Sequence, residues 1–345
     1  FSLAQGEEII DNLKFIAIKH NISLMNKLSH DVSLSSMIES ARSESDWNNI
    51  RYYLNIFEEY STYLTQGQKL LTLNFLYELF INKQSDIRRI SAQLLGKIIT
   101  SFDEEYRKEI PDGELLEVVD INSLNLWDKY LGMIISPDHK NTLEQKQWIS
   151  GTLDTFLWSL FQNCNENNKK EYVQVLMKYY QNEELMSFEL IQAGMFIPIG
   201  VCSDDNIKVL LSFALKNAES DDESIVLSAF ILIEHILKAA KNNIDLTNIV
   251  RLIKAVDEND KYLINFVKLR IINLLEIEPE CKDIYKDLTK IGKSKIQSIF
   301  LDNLKAATHW IIKRVSIDFI SYNAPKLDMV SLLQAATHFA NLVKV

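Results

Sequence analysis

Residues 86–98, DIRRISAQLLGKI, are the stretch on which the reading of this fold turns. The segment opens with an acid, Asp86, and carries Arg88 at its third position. Small and aliphatic residues fill the spacing that lines one side of a helix. A unit of this kind cannot bury its apolar face alone, so one of them implies a stack of others. Outward from it the chain reads as helix after helix, and no segment requires a strand.

Composition supports that reading. The chain has 345 residues, of which 47% are hydrophobic, enough for a long continuous core. Nine glycines and five prolines are too few for the frequent tight turns of an all-β or dinucleotide-binding chain. A net charge of -10 weighs against nucleic acid as a partner, because binding phosphates requires a basic footprint. The one basic run, Lys282, Lys286, Lys290, Lys293 and Lys295, reads as a solvated helix end and loop. Cys164, Cys202 and Cys281 are sparse and form no CxxC pair, as expected of a reducing, cytoplasmic setting. The apolar run Ile225–Ile233 is far short of the roughly 20 residues that cross a bilayer. Phe1 in place of Met, and Val345 without a helix-ending residue, read as cut ends of a longer protein.

Helical period predicts helices near 7–28, 31–42, 45–64, 67–82, 85–101, 123–135, 142–162, 167–180 and 184–193. Further ones follow near 204–217, 222–241, 245–257, 260–275, 279–290, 293–305, 306–322 and 326–343. In the third of these the stripe is Ile50, Leu54 and Phe57, with Ser43 and Ser45 as capping residues. The helix at 222–241 is apolar almost all round, so neighbours should enclose it. Trp148, Trp158 and Trp310 each fall within an apolar stripe and are expected in the core. Two interruptions stand out: Ile110–Asn122 reads as a long loop, and Gly194–Gly200 as a buried bend. N-terminal helical repeats are expected at 1–110, and further repeats at 111–345 continuous with the first.

The Asp86-to-Ile98 segment resembles the second helix of a HEAT repeat. Second helices are expected to begin again near Asp222, Asn259 and Ala306; the last two gaps, about 37 and 47 residues, approximate the period of HEAT and armadillo units. The resemblance implies an all-α fold, an α-solenoid of HEAT-like helical hairpins wound as a right-handed superhelix. It also implies that Asp86 and Arg88 join a ladder of hydrogen bonds between adjacent repeats, with Arg89 in solvent. Thr308–Ile320 and Ala335–Val345 are similar to the helical-repeat region of bacterial multidomain proteins carrying an HD-type phosphohydrolase domain. That similarity implies that any catalytic metal ligands lie outside this chain.

The search for chemistry is negative. The chain contains neither GxxxxGK[ST] nor GxGxxG for phosphates, and neither HExxH nor the Cys/His spacing of a zinc site. Acidic clusters at Asp204-Asp205, Asp221-Asp222-Glu223 and Asp257–Asp260 sit at expected helix starts, where carboxylates complement the helix dipole. His30-Asp31 is the doublet that names the HD hydrolases, but with His20 and Asp46 as nearest partners it reads as a helix junction with Asp31 as cap. His309 and His338 sit in near copies, AATHW and AATHF, which read as a repeated packing solution rather than a metal or proton-relay pair. No catalytic residue, metal site or cofactor is therefore expected. The expected function is a non-catalytic scaffold whose partner is a protein, a peptide or another domain of the same polypeptide. The second expectation is the regulatory helical region of an HD-type phosphohydrolase.

Overall fold

The computed structural model describes residues 31–64, 66–102, 123–182, 188–241, 244–254, 262–277, 291–304 and 309–343. All regular structure in them is helical, and no strand occurs among the described residues. The expected helix at 7–28, the loop at 110–122 and the helix at 279–290 lie outside them, as do Asn259 and Ala306, two of the expected starts of second helices. The chain divides into two compact units, Phe1–Val175 and Leu176–Val345.

The described part of the first unit runs α1 (Asp31–Ser43), α2 (Trp47–Tyr60), α3 (Gln66–Glu78), α4 (Ser85–Ile99), α5 (Ser123–Ile135), α6 (Leu143–Ser150) and α7 (Leu153–Asn163). The division between the units falls inside α8 (Glu166–Gln181). The stretch that opened the reading is α4, which buries Ile87, Ser91, Ala92, Leu94, Leu95, Gly96, Ile98 and Ile99. It packs on α2, α3, α5 and, most extensively, α7. Alternate helices also meet: α1 lies on α3 as well as on α2, and α2 lies on α4. The Arg42 guanidinium makes two hydrogen bonds of 2.7 Å to the Glu78 carboxylate, joining α1 to the end of α3.

Gly96 sets the closest approach in this unit. A Cβ there would stand 2.9 Å from the Phe156 carbonyl oxygen and 3.0 Å from the Leu160 nitrogen, both backbone atoms of α7. The Ser159 hydroxyl donates to the Gln93 carbonyl at the same crossing. A missing side chain on one helix and a small one on the other let the two backbones touch.

One expected helix is two. The span 142–162 breaks at Gly151-Thr152 into α6 and α7. The cause is local: Thr152 donates both its hydroxyl, at 2.7 Å, and its amide, at 3.0 Å, to the Ile149 carbonyl, tightening the chain out of the α-helical pattern. Ser150 spends its own hydroxyl on the Ile134 carbonyl of α5. Restarting at Leu153 turns α7 so that Leu153, Phe156, Leu157, Leu160 and Phe161 are buried. Trp158 is consequently 41% exposed, not in the core as its sequence suggested. The tryptophan at the centre is Trp127 of α5, fully buried, with its ring centroid 5.0 Å from Phe156, 5.9 Å from Tyr172 and its Nε1 donating to the Tyr172 carbonyl.

In the second unit the described helices are α9 (Phe188–Ala193), α10 (Asp204–Asn217), α11 (Glu223–Ala240), α12 (Thr247–Lys254), α13 (Tyr262–Leu275), α14 (Lys293–Asn303), α15 (Trp310–Asn323) and α16 (Met329–Val343). The all-round apolar helix is α11, and it is enclosed: α9, α10, α13 and α15 all pack on it. Asp222 caps it by accepting from the Ser224 amide at 2.8 Å and the Ile225 amide at 3.3 Å. In turn α13 packs on α15, so α11, α13 and α15 pack together, with α12 and α14 among the described segments between them.

Between α9 and α10, Gly194–Val201 forms two short 3-10 turns with Ile197 and Ile199 buried, which is the buried bend expected there. His235 of α11 holds it by a 3.1 Å hydrogen bond from Nε2 to the Ile197 carbonyl. A Cβ on Gly194 would meet both Leu232 methyls at 3.0 Å, so the bend needs glycine to lie against α11.

Candidate functional site

Two features of the second unit give its surface a defined chemistry. The first is an ionic ladder across α11, α13 and α15. Arg270 donates through Nε at 2.9 Å, and through Nη2, to the Glu234 carboxylate, and through Nη1 to Asp318 Oδ2 at 2.9 Å. Lys238 Nζ adds a contact of 2.9 Å to Glu234 Oε1. The Glu234 side chain is only 5% exposed. Burial opposes its charge, but the hydrogen bonds from Arg270 and Lys238 outweigh burial and hold the carboxyl below its usual range. For Arg270 burial likewise opposes the charge, and Glu234 and Asp318 together raise its pKa. The Phe266 ring lies 5.7 Å from the guanidinium and shields it from one side.

The second feature is a cleft of about 220 Å³ at the N-terminal turns of α11 and α13. Leu227, Leu263, Ile299 and Ile312 form its apolar walls, and Glu223, Ser224, Tyr262 and Asn303 supply its polar groups. Lys295 of α14 places its ammonium 5.4 Å from the centre of the Tyr262 ring. A slot of mixed lining, with a carboxylate, hydroxyls and an amide among apolar side chains, suits one amphipathic side chain of a partner. The described lining residues include no His, Cys or Lys.

Arg88 does not bond to Asp86 in the described contacts. Its Nη1 donates to the Asn82 carbonyl at 2.6 Å and the Lys83 carbonyl at 3.0 Å, and its guanidinium covers the Trp148 ring at 5.0 Å. Asp86 occupies the first turn of α4, where a carboxylate faces the free amides, and Arg89 is exposed. Trp148 and Trp310 are half-buried, the latter 5.8 Å from Phe196.

His20 and His30 lie outside the described residues, as do Asp257–Asp260 and Lys282 to Lys290. Asp46 accepts from the Asn48 amide at 2.9 Å and caps α2, the role the sequence had suggested for Ser43 or Ser45. Asp204 and Asp205 stand in the first turn of α10, whose cap is Ser203. His309 is the cap of α15: its Nδ1 accepts from the Ile311 amide at 3.3 Å and lies 3.0 Å from Gln192 Nε2 on α9. That cap starts α15 at Trp310 instead of Ala306. His338 is exposed on α16, so the two AATH copies place their histidines in different structural roles. Among the described residues no group of three or more His, Cys, Asp or Glu is arranged to hold a metal ion. No helix among them is long and apolar enough to cross a membrane.

Comparison with protein-family models finds no match, and comparison with curated proteins finds no relative.

Proposed function

We propose that this chain is a helical-repeat scaffold that works by presenting a binding surface, with the cleft between α11, α13, α14 and α15 as its anchor pocket for a partner protein. The observation that carries the reading is the Glu234–Arg270–Asp318 ladder. Its members stand 36 and 48 residues apart and tie three helices that pack together. Arg42 and Glu78, also 36 residues apart, tie α1 to the end of α3 in the first unit. Cross-links between helices at such separations fit stacked HEAT-like hairpins, in which each unit contacts mainly its neighbours. A fold held this way offers an extended surface to a protein or peptide segment. The carboxylate of Glu223 beside four apolar side chains favours a segment bearing a cationic side chain with an apolar stem.

The test is quantitative affinity capture from cells of the source organism, comparing the natural chain with an Ile299→Glu/Ile312→Glu double variant. Both isoleucines are half-buried walls of the cleft, so the helices can keep their cores while the slot turns acidic. The reading expects a defined set of proteins to be lost with the variant, with circular dichroism unchanged. The same proteins captured equally by both forms would refute the pocket. Phosphoester turnover by the purified chain, abolished by His309→Ala, would refute the non-catalytic reading.

A further inference from the structure

Helix α16 presents an exposed apolar face that no described residue of the second unit covers. Met329 is 79% exposed, Val330 67% and Leu333 68%, and Ala336, Thr337 and Ala340 are exposed beside them. Its opposite face is accounted for: Ala335 is buried with Ile320, Phe339 and Leu327 pack on that cluster, and Gln297 bonds to the Ser331 hydroxyl. The fifteen residues of α16 include no Asp, Glu, Lys or Arg, in a chain where 24% of residues are charged.

The exposed residues follow a pattern that reads the same in both directions. Met329, Leu333, Ala336 and Ala340 are spaced four, three and four, which is the seam spacing of paired helices. The large side chains occupy the N-terminal half and the small ones the C-terminal half. Laid antiparallel on a second α16, Met329 meets Ala340 and Leu333 meets Ala336, twice over by symmetry. Each bulky residue then faces a gap left by alanine. A parallel pairing instead stacks large on large and leaves the alanines apart. Charge leads the same way, since two chains of net charge -10 repel and a seam without Asp or Glu adds nothing to that repulsion.

We infer that α16 is a self-association surface, on which a second copy of this chain docks by antiparallel, two-fold pairing of Met329–Ala340. A seam of about three turns is small for a protein interface, so the dimer is a reversible one. This inference does not depend on the cleft or on its partner.

Sedimentation equilibrium of the full chain over about 1 to 500 µM tests it. The natural chain should pass from monomer to dimer across that range. Leu333→Glu should raise the dissociation constant by at least about tenfold, because it places a carboxylate in the seam. Leu333→Glu/Ala336→Lys should restore dimer formation, because residue 333 of one copy faces residue 336 of the other. Both positions are exposed in the single chain, so the fold survives, and an unchanged melting temperature at low concentration verifies this. A natural chain that stays monomeric throughout would overturn the inference. A dimer indifferent to Leu333→Glu would place self-association elsewhere, and failure of the double variant to recover would refute antiparallel pairing.

Discussion

Replacing Gly96 by alanine sets two well-understood effects against each other at one position. In an open helix the change stabilises, by up to about 1 kcal/mol, because glycine is the poorer helix former. In α4 the new methyl would sit 2.9 Å from the Phe156 carbonyl oxygen, 3.0 Å from the Leu160 nitrogen and 3.1 Å from Ser159 Cβ. Two of those three atoms are backbone, so no rotamer change relieves the contact, and α7 must move away by several tenths of an ångström. Overpacking of that kind costs roughly 1–3 kcal/mol, and the shift also strains the Ser159 hydrogen bond to Gln93. The net expectation for Gly96→Ala is a loss of about 1–2 kcal/mol. Gly67 supplies the control: it lies in the first turn of α3 with nothing within 4 Å of an added Cβ, so Gly67→Ala should be neutral or stabilise by up to about 1 kcal/mol. Urea denaturation followed by circular dichroism reads both. A Gly96→Ala variant as stable as the natural chain would show that α4 and α7 do not cross at this distance, and the packing described for the first unit would be wrong.

The tryptophans give a second contrast by the same assay: Trp127→Ala should cost roughly 3–5 kcal/mol, and Trp158→Ala should stay within about 0.5 kcal/mol of the natural chain. The ladder gives a pH signature. Because the folded Glu234 carboxyl titrates below its ordinary value of about 4.3, its contribution is present above that value and disappears as pH falls through the folded pKa. The natural chain should therefore lose more stability than Glu234→Gln between about pH 5 and pH 3, and parallel stability curves for the two would remove the ladder's charge from the account.

Much of this fold is legible in the sequence, because helical period and burial are local signals. The all-round apolar 222–241 segment announces an enclosed helix, and α11 is one. Apolar residues among helix breakers at 194–200 announce a buried bend, and His235 and Leu232 bury it. What escapes is whatever depends on meetings between distant residues. The break at Gly151-Thr152 hides because Ser150, Gly151 and Thr152 are each tolerated in a helix, and only their joint bonding ends it. Once that break is missed, the register beyond it is wrong and Trp158 is placed inside. The AATH copies look equivalent, yet one histidine caps a helix because Gln192 comes to meet it from α9. The cleft draws Glu223, Tyr262 and Asn303 from three helices, and no spacing in the chain announces that they converge. The ladder is hidden in the same way: α13 carries both Lys268 and Arg270 among apolar residues, and nothing local marks which one joins it. Its separations of 36 and 48 residues are unequal, so a fixed-period search passes over its partners.

The stacking of α11, α13 and α15 is the claim on which the rest depends, and a double-mutant cycle between Glu234→Gln and Arg270→Met measures it. If the helices pack as described, the two changes should be coupled by about 1–3 kcal/mol, because each alone removes the main partner of the other's charge, buried at Glu234 and half-buried at Arg270. Additive effects, with a coupling near zero, would mean that α11 and α13 do not meet at these residues.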